Sequence, residues 1–154
     1  MSSINRFRKP GGLIQLVHLL ETSDKAKRDE LMLIVAQEDP GWAFFVQSKA
    51  LNIERILSWP PQVLELIFVR LPLPFIAILS QMSEPEIQKK IENSINRSLI
   101  RELFQLRDEK VYSSEHHWNV VIKVIQTVRE LQSQGLLKFS TFDPGLEIDS
   151  RLAG

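Results

Sequence analysis

Apolar residues recur along this chain at helical spacing, and no stretch sustains the period-two alternation of a half-buried strand. The pattern predicts an all-α protein. Leu13, Leu16, Val17 and Leu20 fall at i, i+3, i+4 and i+7, with Gln15 and His18 off that stripe. Thr22-Ser23-Asp24 offers an N-cap for a second helix, with Leu31, Ile34 and Val35 inward and a stop at Asp39-Pro40-Gly41. The two are expected to form an antiparallel pair. A third helix runs from Pro40 through Trp42, Phe45, Val46, Ile53, Ile56 and Leu57 to Trp59-Pro60-Pro61, weakest over Lys49 to Asn52.

Val63, Leu64, Ile67, Phe68 and Leu71 mark a fourth helix, and Pro72 and Pro74 force a break before Phe75, Ile76 and Leu79 begin a fifth. Ser83-Glu84-Pro85-Glu86 has the spacing of a capping box. Ile87, Ile91 and Ile95 follow, then a helix from about Arg97 with Leu99, Leu103 and Leu106. Ser113 or Ser114 caps the last and longest helix, whose stripe reads Trp118, Val121, Ile122, Ile125 and Val128 until Gly135. Leu136 to Phe139 reads as a short extended strap. Residues 1–12 and 140–154 are expected to be flexible tails, the first of them basic.

Composition narrows the function. With 154 residues, 44% of them hydrophobic, the chain has the material for one core or two small ones. Its 19 Lys+Arg and 19 Asp+Glu cancel, so groove-filling nucleic-acid binding lacks electrostatic support. The absence of cysteine excludes disulfides, thiolate catalysis and Cys-based zinc sites, and suits a cytoplasmic protein. Arg6, Arg8 and Lys9 precede an apolar stretch, but Gln15 and His18 interrupt it and no small-x-small cleavage site follows. Val63 to Leu79, the longest apolar region, contains Glu65, Arg70, Pro72 and Pro74, so a soluble protein without membrane insertion is expected.

Little catalytic chemistry is legible. His116 and His117 are helix neighbours diverging by about 100° and cannot chelate one ion together. His18 has no partner motif, and neither a phosphate loop nor a nucleophile elbow occurs. The pairs Glu38-Asp39 and Asp108-Glu109 lie at helix ends and read as solvated charge. Leu71-Pro72-Leu73-Pro74 reads as a buried interhelical corner rather than a Pro-rich ligand. The residues thus imply a non-enzymatic helical scaffold with no cofactor and no metal, presenting surfaces to other proteins.

The order of several segments adds a resemblance. Gln37-Glu38-Asp39-Pro40, Lys49 to Leu57, Gln62 to Leu79, Ser83 to Ile91, Ile95-Asn96-Arg97 and Val128 to Gly135 together resemble the C-terminal half of the flagellar motor switch protein FliG family. The likeness spans about residues 13–139 and lies in collinearity, each motif alone being weak. It implies an armadillo-like helical unit over 13–49 and a six-helix FliG C-terminal-type bundle over 50–139. The family's Met-Phe-x-Phe hinge falls on Ala50, Leu51, Asn52 and Ile53, without either ring.

On the helix that contacts the stator in the family, Arg97 takes the place of an arginine, while an acidic pair falls on Phe104 and Gln105. A family lysine falls near Ser80-Gln81 and an arginine near Ser113. Pro61 and Gln62 resemble part of a motif for binding a neighbouring switch protein, its preceding Glu-His being Trp59-Pro60 here. The resemblance implies a rotor component, cytoplasmic or peripheral at the basal body on the inner face of the membrane. Its partners would be other switch-complex proteins and the stator's cytoplasmic loop, contacted through Arg97, Arg101, Glu102 and Arg107. The divergence implies a paralogue that kept the scaffold and changed partner. A cytoplasmic helical adaptor, or a transporter regulatory domain, is the alternative reading, and an enzyme the third.

Overall fold

Prolines set where the helices begin. The structure, a computed structural model, describes residues 12–148, and these are helical with no strand among them. The helices are α1 Gly12–Thr22, α2 Lys25–Glu38, α3 Pro40–Lys49, α4 Ile53–Leu57, α5 Pro61–Phe68, α6 Leu73–Gln81, α7 Pro85–Glu92, α8 Ile100–Glu109 and α9 Ser114–Ser133. Arg97–Leu99, Phe139–Thr141 and Pro144–Leu146 form 3-10 turns. Pro40, Pro61, Pro74 and Pro85 stand in the first turns of α3, α5, α6 and α7, where a missing N–H costs nothing and a fixed φ is already helical. No helix among the described residues is long and apolar enough to cross a membrane.

Pro85 also overturns the expected capping box. A residue preceding proline is driven out of the α region, so Glu84 is extended and becomes the N-cap, without a side-chain bond. The Ser83 hydroxyl instead donates back to the Leu79 carbonyl at 2.7 Å and closes α6. Elsewhere side chains do cap: Asp24 accepts from Lys27 N, Asn52 from Arg55 N and Ser113 from His116 N. Asp39, expected as merely solvated, ends α2 through its own N–H to Val35 O and starts α3 by accepting from Trp42 N. The single third helix expected from Pro40 to Trp59 is divided into α3 and α4 by extended backbone at Ala50 and Asn52.

The chain separates into two compact units, residues 1–51 with 139–154 and residues 52–138. In the first, the α1 stripe meets Val35 of α2 and Ala43 and Val46 of α3. Only part of the α2 stripe turns inward: Val35 is buried and Leu31 half-buried, but Ile34 and Leu33 are exposed. Glu21, on the last turn of α1, is 2% exposed, and its Oε2 accepts from Leu51 N at 2.7 Å. The expected flexible tail over 140–154 is folded where it is described. Its two turns pack together, the second of them on α3, Leu146 is buried, and Lys49 Nζ donates to the carbonyls of Gly145 and Glu147. Residues 1–11 and 149–154 of the two expected tails lie outside the described residues.

In the second unit α6 is the axis. Ile76, Ala77, Ile78, Leu79 and Ser80 are consecutive and all buried, as in a helix packed on every side. It lies against α8, α9 and α7, while α5 packs on α9 and α7 and α4 on α9. The buried face of α9 centres on Val120, Val124, Thr127, Val128 and Leu131 with Ile125, whereas Trp118, Val121 and Ile122 of the expected stripe are only half-buried. Gly135, at φ 74°, completes a Schellman stop in which Leu136 N donates to Leu131 O and Gly135 N to Gln132 O.

Two outcomes test this anchoring. Glu21→Ala leaves the Leu51 amide buried without its acceptor and should lower unfolding free energy by about 1–3 kcal/mol, while Glu21→Gln, which keeps an acceptor, should lose less. Leu146→Ala should cost about 2–5 kcal/mol if the C-terminal segment is part of the core, against nearly nothing for a tail. Urea unfolding of the full chain measures both.

Candidate partner-binding surface

The four residues proposed for partner contact divide into two kinds. Arg97, Arg101 and Glu102 are exposed on the 3-10 turn and on α8, and among the described residues no hydrogen bond or ion pair engages their side chains. Arg107, one turn further on, is held inside. Its guanidinium lies 3.3 Å from Glu92 Oε1, 3.4 Å from Ser80 Oγ, 3.4 Å from Asp108 Oδ1 and 4.8 Å from the centroid of Phe104. It therefore ties α8 to α7 and α6 and is not a free surface charge.

Gln81, at the end of α6, supports the same helix. Its Nε2 donates to the carbonyls of Arg107 and Lys110 at 2.7 and 2.6 Å, and its Oε1 accepts from Tyr112 N at 2.9 Å. One amide side chain thus satisfies carbonyls that the C-terminus of α8 leaves without helical partners. Sequence reasoning missed Gln81, because nothing in local spacing shows that residues 81 and 110 meet. A polar crevice of about 690 Å³ is lined by Gln81, Gln88, Arg107, Lys110 and His117 among others.

The paired histidines go to different places. His116 is exposed, with Nδ1 2.8 Å from Ser113 Oγ and its ring edge-on to Tyr112. His117 is half-buried, and its Nε2 is shut from solvent without a hydrogen-bond partner. Among the described residues no group of three or more His, Asp or Glu is placed to hold a metal ion.

Pro61 and Gln62 are exposed in the first turn of α5. The joint residues are not free: Ala50 and Leu51 are buried, Leu51 N is bonded to Glu21, and Asn52 caps α4, where Ile53 is the first residue. Leu71-Pro72-Leu73-Pro74 forms a corner in which Leu71 is buried but both prolines are exposed. Leu71 and Leu73 form one end of an apolar groove of about 400 Å³ that continues along Phe68, Ile76, Ile95 and Leu99.

Among the described residues the protein is all-α, and both the polar crevice and the apolar groove lie on the unit of residues 52–138. Family models, curated proteins and solved structures contain no match to the chain.

The division of α8 is directly measurable. Gln81→Ala and Arg107→Ala should each destabilise by about 1–3 kcal/mol, whereas Arg97→Ala and Arg101→Ala should stay within about 0.5 kcal/mol of the parent in chemical denaturation.

Proposed function

We propose that this chain is a non-enzymatic interaction module of the flagellar motor switch type, working through protein–protein contacts on its C-terminal helical unit. The observation that carries the contact surface is the freely presented set Arg97, Arg101 and Glu102 on and beside α8. Unpaired charge of mixed sign at an exposed helix favours orientation and association rate over raw affinity. The motor setting rests on the collinear sequence resemblance described above. On that reading residues 13–49 correspond to an armadillo-like unit and 50–139 to the six-helix torque-transmitting bundle. The partners are switch-complex proteins and the stator's cytoplasmic loop, at the inner face of the membrane.

The sites where this chain departs from the family support a changed partner. Phe104, where the family has an acid, carries the Arg107 guanidinium; Gln81 clamps α8; Ser113 caps α9. Each replacement does a structural task inside the unit, so the contact charge is reduced to Arg97, Arg101 and Glu102. The engagement of Arg107 also favours the second reading, a helical adaptor unrelated to motility.

The two readings separate experimentally. A rotor component should co-purify with flagellar basal bodies, and Arg97→Glu combined with Arg101→Glu should reduce swimming without shifting thermal unfolding by more than a few degrees. Normal swimming of a deletion strain, together with absence from basal bodies, eliminates the motor reading.

A further inference from the structure

The C-terminal segment, residues 139–148, is folded with much of its surface in water. Phe139 and Leu146 are buried, and Ile148 packs half-buried against the core of α1, α2 and α3, while Ser140, Thr141, Pro144, Gly145 and Glu147 are exposed. Hydrogen bonds close the segment on itself. Phe142 N and Asp143 N donate to Phe139 O at 3.1 and 2.6 Å, Leu146 N to Asp143 O at 3.0 Å, and Ser140 N to Glu147 Oε1 at 3.1 Å. Lys49, the last residue of α3, ties it down: Nζ donates to Gly145 O at 2.9 Å and to Glu147 O, and lies 5.3 Å from the centroid of Phe45.

Few buried apolar side chains and many exposed backbone hydrogen bonds place a segment at the low end of local stability. Two 3-10 turns of three residues each cannot persist away from the surface that holds them, so detachment and unfolding of this segment coincide. The helices beneath have contacts of their own. Leu13, Leu16, Val17 and Leu20 close on Val35 and Val46 within helices of 11, 14 and 10 residues. The path of the chain gives the segment its importance. It leaves the first unit after Leu51 and returns to it at Phe139, so residues 52–138 are attached to that unit at both ends when the segment is docked and at one end when it is not.

We propose that residues 139–148 are a detachable clasp that opens as one unit while the helices stay folded, with the Lys49 ammonium as its catch, and that opening it frees residues 52–138 to reorient about the single crossing at 51–52. Lys49 stands immediately before the extended backbone of Ala50, so one side chain beside the outgoing crossing holds the returning one. A cation suits this place because the turn leaves its carbonyls open, and hydrogen bonds from a charged donor are the stronger ones. Losing the donor leaves those carbonyls to water. The docked state weakens without a polar group being stranded in the core. The proposal does not depend on the motor reading, since it uses no residue of α8.

Native-state amide hydrogen exchange on the full chain tests it, with Phe142, Asp143 and Leu146 reporting the clasp, Val46 the α1–α3 core and Leu79 the second unit. The three clasp amides should share one opening population, larger than that of Val46 or Leu79 by about a hundredfold or more. Lys49→Met keeps an apolar stem on Phe45 but has no donor, and should raise the clasp population about tenfold while leaving Val46 and Leu79 unchanged. Lys49→Arg, which keeps the donors, should stay near the parent. Leu146→Asp sets a charge at the buried anchor and should hold the clasp open with the helix content of the parent. In that variant and in Lys49→Met, nitrogen-15 relaxation should give residues 52–138 a shorter rotational correlation time than in the parent, the more so in Leu146→Asp. Clasp amides that exchange only together with Val46, or a Lys49→Met effect that is absent or equal in all three regions, overturn the proposal. So do helix loss in Leu146→Asp and unchanged tumbling of residues 52–138 with the clasp open.

Discussion

The second unit depends on burying α6 completely. A helix with one apolar stripe can face solvent on its other side, but five consecutive buried residues, Ile76 to Ser80, leave no such side. Every neighbour must therefore be placed around it. Ser80 is where this demand becomes polar: its carbonyl accepts from Gln88 Nε2 at 2.8 Å and its hydroxyl from Arg107. A buried hydroxyl left unbonded would cost about 1–3 kcal/mol, and Arg107 of α8 meets it while Gln88 of α7 bonds the carbonyl of the same residue. The position of α8, and with it of Arg97, Arg101 and Glu102, follows from the enclosure of α6.

This explains what local sequence could and could not reveal. The starts of α2 and α9 were readable because Asp24 and Ser113 act within their own turn, and that of α3 because Pro40 stands in its first turn. So was the stop at Gly135, where a positive φ suits the one residue without a Cβ. The capping box at Ser83 misled because its spacing matched while Pro85 fixed the helix start one residue later. The face of α9 was misplaced because Val120, Val121, Ile122, Val124 and Ile125 offer several overlapping stripes. The packing of α5, α6 and α4 selects among them.

Long-range ties were invisible for a plainer reason. Glu21 to Leu51, Lys49 to Gly145 and Gln81 to Lys110 join residues whose separation carries no periodicity. The C-terminal segment shows the consequence. Asp143-Pro144-Gly145 is turn chemistry and was read as the mark of a tail, yet a turn is equally what brings Leu146 back to a core. Composition alone does not distinguish them. The distinguishing residue is Lys49, which lies far away in sequence and supplies donors for the carbonyls that the turn leaves open.

The groove arises from the same enclosure that buries α6. Pro72 and Pro74 start α6 without a side-chain cap, so the corner between α5 and α6 is held by apolar contact instead of by a polar cap. Leu71 and Leu73 serve that corner and also wall the groove. Enclosing the axis helix thus leaves an apolar concavity at its N-terminal end. The polar atoms of its wall turn inward to their own backbone, Ser94 Oγ to Lys90 O and Asn96 Oδ1 to Ser98 N, and Glu65 is the charged residue of the lining.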